Sequence, residues 1–141
     1  MTTLYLPDAQ VAMVISDAGP DWRGWTCVRV LQAVISENNC DAWSLYHNND
    51  QWHSWDVGLF AMNTRWMPEA SWEDRLTPGI AAGYAYRYYQ RWWSMLTPDY
   101  PKWADRRDAV IHKMWHGADT PRYMAAEPRA LAAAKQIGQI P

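Results

Sequence analysis

The chain is short of phenylalanine, cysteine, net charge and long apolar runs, and each shortage excludes something. One Phe stands against eleven Trp and eight Tyr. Most of the aromatic surface therefore carries a polar tip, which suits sites that are apolar and wet together, sugar sites included. Two cysteines, Cys27 and Cys40, are too few for a disulfide framework and read as free, buried thiols. A net charge of −2 and a pI near 6.0 supply no basic face, so nucleic acid is not an expected partner. No run of about 18 apolar residues is present, so no membrane span is expected. The opening MTTLYLPDAQ lacks the basic start and apolar centre of a signal peptide, which implies synthesis in the cytoplasm without a Sec signal. Repeats, low-complexity tracts and long linkers are missing too. With 49% hydrophobic and 20% charged residues, the 141-residue chain reads as one globular domain over 1–141.

What is present is a mostly helical pattern punctuated by Pro and Gly. PDAQVAMVISDAGP predicts a helix over about 8–18, with Asp8 as N-cap and Gly19-Pro20 as the stop. Asp21 caps a second helix, about 22–37, apolar around most of its circumference with Arg29, Gln32 and Ser36 as a narrow polar stripe. From Asn38 to about Arg65 the helical period vanishes. HNNDQWH (47–53) is rich in turn formers, and SWDVGLF alternates, with Trp55, Val57 and Leu59 on one side and Ser54 and Asp56 on the other. That predicts a short half-buried strand with one or two neighbours within 43–57. Helices then resume. A short one opens at Pro68, and a long one runs over 78–96 behind Thr77-Pro78, with Ala81, Tyr84, Tyr88, Trp92 and Met95 inward. Another runs from Pro101 to His116 with Trp103, Val110, Ile111, Met114 and Trp115 inward, stopped by Gly117. A last stretch starts at Thr120-Pro121, is interrupted at Pro128 and ends near Gln136. The expected class is α+β, mostly α, with a small sheet inserted among helices.

Two carboxylates stand out. Glu37 falls in the last turn of the buried helix, with Val34, Ala33 and Val30 at i−3, i−4 and i−7. Desolvation and the negative end of the helix dipole both favour its protonated form, which is what a general acid requires. Asp56 lies on the polar side of the strand beside Ser54 and near Asn63, where a carboxylate stays charged. One acid held neutral and one held charged is the division of labour that splits a glycosidic bond.

The residues around this pair resemble a known family. A helix ending in Ser-Glu, followed about twenty residues on by Asp-x-Gly-Leu/Ile-Phe-x-x-Asn, is similar to the lysozyme-like superfamily. Animal lysozymes carry S-T-D-Y-G-I-F-Q-I-N-S-R where this chain has S-W-D-V-G-L-F-A-M-N-T-R at 54–65. Lytic transglycosylases and goose-type lysozymes carry a related E-S…G-L-M-Q pattern. The resemblance covers about residues 30–66. TPGIAAGYAY resembles a transglycosylase helix more loosely, and MWHGADTPRY (114–123) echoes a second segment of theirs. The resemblance implies a lysozyme-like helical domain that cuts the β-1,4 bond between N-acetylmuramic acid and N-acetylglucosamine in peptidoglycan strands, without a cofactor. Glu37 matches the general acid, Asp56 the second carboxylate, Asn63 the Asn beside the cleft, and Gly58 the Gly where backbone and sugar come close. Ser54 shares the polar face with Asp56. The Ser that follows the acid in the family is Asn38 here, and the Gln after Phe is Ala61. The four disulfides of animal lysozymes are absent. A disulfide-free, signal-less version looks like a phage or bacterial cell-wall enzyme, reaching the wall after release or as part of a phage particle. Its second carboxylate points to hydrolysis. A lytic transglycosylase forming 1,6-anhydro ends, a chitinase-type activity, and an inactive glycan-binding or virion module are the alternatives.

Four further features bear on a site. Trp52 and Trp66 flank the expected cleft and are the tryptophans placed to stack on sugar rings; Trp22, Trp25, Trp92, Trp93, Trp103 and Trp115 read as packing. Tyr84 and Tyr88 share the inner face of their helix and read first as core tyrosines with satisfied hydroxyls; the alternative is a hydroxyl that reaches Glu37, which makes Tyr84 a candidate substrate-binding residue. His47, His53 and Asp50, and the pair His112 and His116, fit no metal-ligand spacing, so no metal is expected. DRRD at 105–108 reads as a solvated face with local ion pairs.

Overall fold

A computed structural model describes residues 2–116 and 120–141. Helix α1 (Asp8–Ala18) is followed by a 3₁₀ turn at Pro20–Trp22, helix α2 (Trp25–Asn38), and strands β1 (Leu45–His47), β2 (Trp55–Val57) and β3 (Met62–Asn63). Helices α3 (Trp72–Leu76), α4 (Pro78–Leu96), α5 (Trp103–Met114), α6 (Pro121–Ala125) and α7 (Glu127–Gln136) complete the chain. The fold is α+β and mostly α, with one small antiparallel sheet in the order β1-β2-β3. Tyr46 pairs with Asp56, and Asp56 with Asn63, so Asp56 occupies the middle of the sheet. No helix among the described residues is long and apolar enough to cross a membrane.

Helix α2 is the axis of the molecule. It packs against α1, α5, α6 and α7, which is why nearly all of its circumference is apolar. The expected polar stripe does not face water. Gln32 is completely buried and its amide donates to the Tyr123 carbonyl, while Ser36 is buried as well. Only Arg29 of the three stays half-exposed, held by Gln32 and by an ion pair to Glu127.

Beside α2, Trp22 is the hub of an aromatic cluster. Its ring centroid lies 5.4 Å from Tyr86, 5.7 Å from Tyr89, 6.1 Å from Phe60 and 6.4 Å from Trp115. The Trp115 indole N–H donates to the Phe60 carbonyl at 3.0 Å, which ties the helical core to the turn between β2 and β3. Asn38 reaches the same turn from α2, its amide donating to the Gly58 and Leu59 carbonyls. Asn38 thus clamps the end of α2 to the turn that follows β2.

Several local expectations need correction. Asp8 does not cap α1, whose N-cap is Pro7; its carboxylate instead takes two hydrogen bonds from Arg129 of α7. The second helix begins at Trp25 rather than Trp22, because Pro20–Trp22 forms a separate 3₁₀ turn and Gly24 adopts φ +60. The short helix starts at Trp72, set by a capping box between Ser71 and Asp74, and not at Pro68. The third strand, Met62–Asn63, lies beyond the 43–57 window. Helix α4 has the expected bounds but is rotated: Ala82, Ala85, Tyr86 and Tyr89 join Ala81 inside, Tyr84, Tyr88 and Trp92 are half-buried, and Met95 is exposed. Trp103 is likewise 54% exposed, against the guanidinium of Arg107, which is itself buried rather than part of a solvated face. Gly117, the expected stop of α5, lies outside the described residues, as does part of the 114–123 segment.

Candidate active-site cleft

A cleft of about 840 Å³ opens between the sheet and the helices. Glu37 enters it from the last turn of α2, half-buried, and Asp56 enters from the centre of β2. The two carboxylates are nineteen residues apart in the chain, and Asn38 clamps the elements that carry them. Phe60, Ala61, Met67 and Trp115 form an apolar floor, and Asn48, Asn49 and Asp50 come from the β1–β2 loop. Trp66 stands at one side, 59% exposed. Tyr88 and Trp92 of α4, Lys113 and Met114 of α5, and Arg122 of α6 make the other wall.

Asp56 is fixed by a polar network whose hydrogen-bond directions are determined. The Asn63 side-chain oxygen accepts from the backbone N–H groups of Arg65 (2.8 Å) and Trp66 (3.2 Å), so its NH₂ must face the other way. That NH₂ donates to Asp56 Oδ1 at 2.8 Å and to Ser54 Oγ at 3.2 Å. Ser54, only 2% exposed, also accepts from Asn48 at 3.3 Å and passes its own proton to Asp50 Oδ2 at 2.6 Å. The Ser54 hydroxyl, with its backbone N–H next, holds the Asp50 carboxyl below the ordinary value of 3.8. Asp50 also closes its own loop by accepting from the backbone of Trp52 and Ser54.

The expected site residues divide accordingly. Glu37, Asp56, Asn63 and Trp66 share the cleft. Ser54 sits behind Asp56 as a buried linker. Trp52 stands behind Trp66, edge-on at 6.5 Å, with the Arg65 guanidinium 3.7 Å over its ring. Gly58 is bare where the chain packs closely on itself. Its φ is +80, and a Cβ there would lie 1.9 Å from the Arg75 carbonyl oxygen, so the close approach is by the end of α3. Tyr84 does not line the cleft, since its hydroxyl turns to Asp74 at 3.2 Å; Tyr88, one turn further along α4, does. Trp92, read as packing, lines the cleft as well, with its buried indole N–H unpartnered among the described residues. Lys113 and Arg122 had no sequence signal, because nothing local distinguishes them from other surface cations. Ala61 adopts φ +49 where it faces the cleft.

Comparison with family models, with curated proteins and with solved structures gives no match. Among the described residues, no cluster of His, Cys, Asp and Glu is arranged to hold a metal ion. The cysteines are elsewhere, buried and unpaired, and burial pushes both thiols up to about 12.

Proposed function

We propose that the chain is a glycoside hydrolase of the lysozyme-like kind, cutting the β-1,4 bond between N-acetylmuramic acid and N-acetylglucosamine in bacterial cell-wall strands. The observation that carries this reading is the delivery of Glu37 and Asp56 into one cleft by two different elements, the end of α2 and the middle of β2. Glu37, half-buried in the last turn of α2, is the acid in this reading and carries a proton when the strand binds. That proton passes to the glycosidic oxygen as the bond to the anomeric carbon breaks, and the bonding pair leaves with the oxygen. Asp56, held by Asn63, offers its carboxylate to the electron-poor centre. Water then adds its hydroxyl to that carbon and returns a proton to Glu37. Trp66, Tyr88 and Trp92 bring aromatic rings to the cleft, and such rings suit the apolar faces of pyranoses.

Digestion of purified cell walls, with fragments weighed by mass spectrometry, tests this. Reducing muramic acid ends are expected, and Glu37→Gln should abolish their release while leaving the circular dichroism spectrum unchanged. Unchanged turnover in that variant removes Glu37 from the mechanism. Fragments ending in 1,6-anhydromuramic acid would instead assign transglycosylation, in which Asp56→Asn has little effect. Binding of walls without any release would leave a glycan-binding module.

A further inference from the structure

A second cavity of about 400 Å³ adjoins the first. Glu37 and Arg122 line both, so the two meet at the acid itself. The remaining wall comes from Ser36 and Asn39 at the end of α2, Ala125 of α6, and Arg129 of α7.

We propose that this basin receives an acidic peptide carried on the lactyl group of muramic acid, so that the strand is recognised by its peptide as well as by its sugars. This rests on the cell-wall glycosidase reading. It follows from counting which polar groups around the basin are already committed. The Asn39 side-chain oxygen accepts from Arg129 Nη1 at 2.7 Å, which leaves its NH₂ unspent. Arg129 gives one proton from Nε and one from Nη2 to Asp8, and each terminal nitrogen keeps a second. The Arg122 side chain is exposed and makes no ion pair or hydrogen bond among the described residues. Ser36 is 7% exposed, and its buried hydroxyl has no partner among them. Asn38 is spent, its NH₂ on Gly58 and Leu59 and its oxygen on the Asp41 N–H.

The spare N–H groups of the basin belong to Asn39, Arg129 and Arg122, the last two guanidinium groups, and the Ser36 hydroxyl can donate as well as accept. Sugar hydroxyls donate as readily as they accept and give no use for such a set. A carboxylate accepts only, and a guanidinium fork matches its two oxygens. The methyl groups of Ala125 and Ala126 offer apolar contact for the aliphatic part of a peptide. Because the basin meets the cleft at Glu37, a peptide bound there belongs to a sugar next to the bond being cut.

Titration calorimetry on the full chain tests this with two probes, the disaccharide N-acetylglucosaminyl-N-acetylmuramic acid with and without an acidic peptide on the lactyl group. Neither contains the bond the enzyme cuts, so the unaltered protein serves. The peptide-bearing probe should bind on the order of tenfold more tightly, as one charge-assisted contact provides. Arg122→Ala, at an exposed position that leaves the fold intact, should shrink that ratio toward one, and Arg122→Lys should restore part of it. Equal affinity for the two probes overturns the basin while leaving wall digestion untouched. A ratio that survives Arg122→Ala overturns it too. If neither probe binds, the basin proposal falls, and wall digestion decides separately whether the glycosidase reading falls with it.

Discussion

Replacing Asn63 by Ala should loosen the sheet and the carboxylate together, by an amount the structure fixes. The side chain makes four hydrogen bonds. Two of them accept from the N–H groups of Arg65 and Trp66, which lie at exposed residues where water takes over at little cost. The bond to Asp56 Oδ1 is charge-assisted, worth about 1.5–3 kcal/mol when desolvated, and the bond to Ser54 Oγ is neutral, worth about 0.5–1.5 kcal/mol. Both are partly buried, so water recovers some of each, and a net loss of about 2 kcal/mol is expected. Denaturant unfolding followed by tryptophan fluorescence measures it as a lower midpoint with an unchanged slope. Because Asn63 and Ser54 share one bond, the double variant with Ser54→Ala should be less damaging than the sum of the two, by about 0.5–1 kcal/mol. In wall digestion, Asn63→Ala should lower kcat more than it raises KM, since it misplaces a carboxylate without removing a sugar contact. A stability change below about 0.5 kcal/mol, with full additivity, would show that water replaces this network and that Asp56 does not depend on it.

Gly58→Ala should destabilise by about 3 kcal/mol, because a φ of +80 strains any L-residue and the new Cβ meets the Arg75 carbonyl at 1.9 Å, backbone that no rotamer change relieves; a shift of the unfolding midpoint worth less than about 1 kcal/mol refutes this. Cys27 and Cys40, with thiols pushed up to about 12 by burial, should resist a disulfide reagent at pH 8 in the native protein and react together in denaturant; rapid native labelling would contradict their burial. Asp50 titrates below its ordinary value when folded, so its contribution to stability is present above that value and is lost as the pH falls through the lowered one; Ser54→Ala should flatten that acid limb, and an unaltered limb in an unfolding series between about pH 5 and 2 would exclude Ser54 as the cause.

Local chemistry made a large part of this molecule legible in the sequence. Thr77-Pro78 fixes the start of α4, and Gly19-Pro20 the end of α1, because capping geometry and the missing proline N–H act within a few residues. The alternation of Ser54, Trp55, Asp56 and Val57 marks β2, because side chains of a strand alternate whatever lies on either side. The same local pattern singled out Glu37 and Asp56, and both line the cleft. Periodicity states which residues share a face, however, and not what that face meets. Helix α4 touches α1, α3 and α5 on different sides, and the packing of those neighbours decided that Tyr86 and Tyr89 go into the core, Tyr84 turns to Asp74, and Tyr88 and Trp92 reach the cleft. Gln32 read only as part of a narrow polar stripe, because its partner, the Tyr123 carbonyl of α6, lies ninety-one residues further along the chain. The cations Lys113 and Arg122 carry no local mark at all; only the packing of α5 and α6 on α2 brings them to the cleft that Glu37 enters. Capping and alternation are short-range and survive in the sequence, whereas the walls of a cleft are long-range contacts that exist only once the helices have packed.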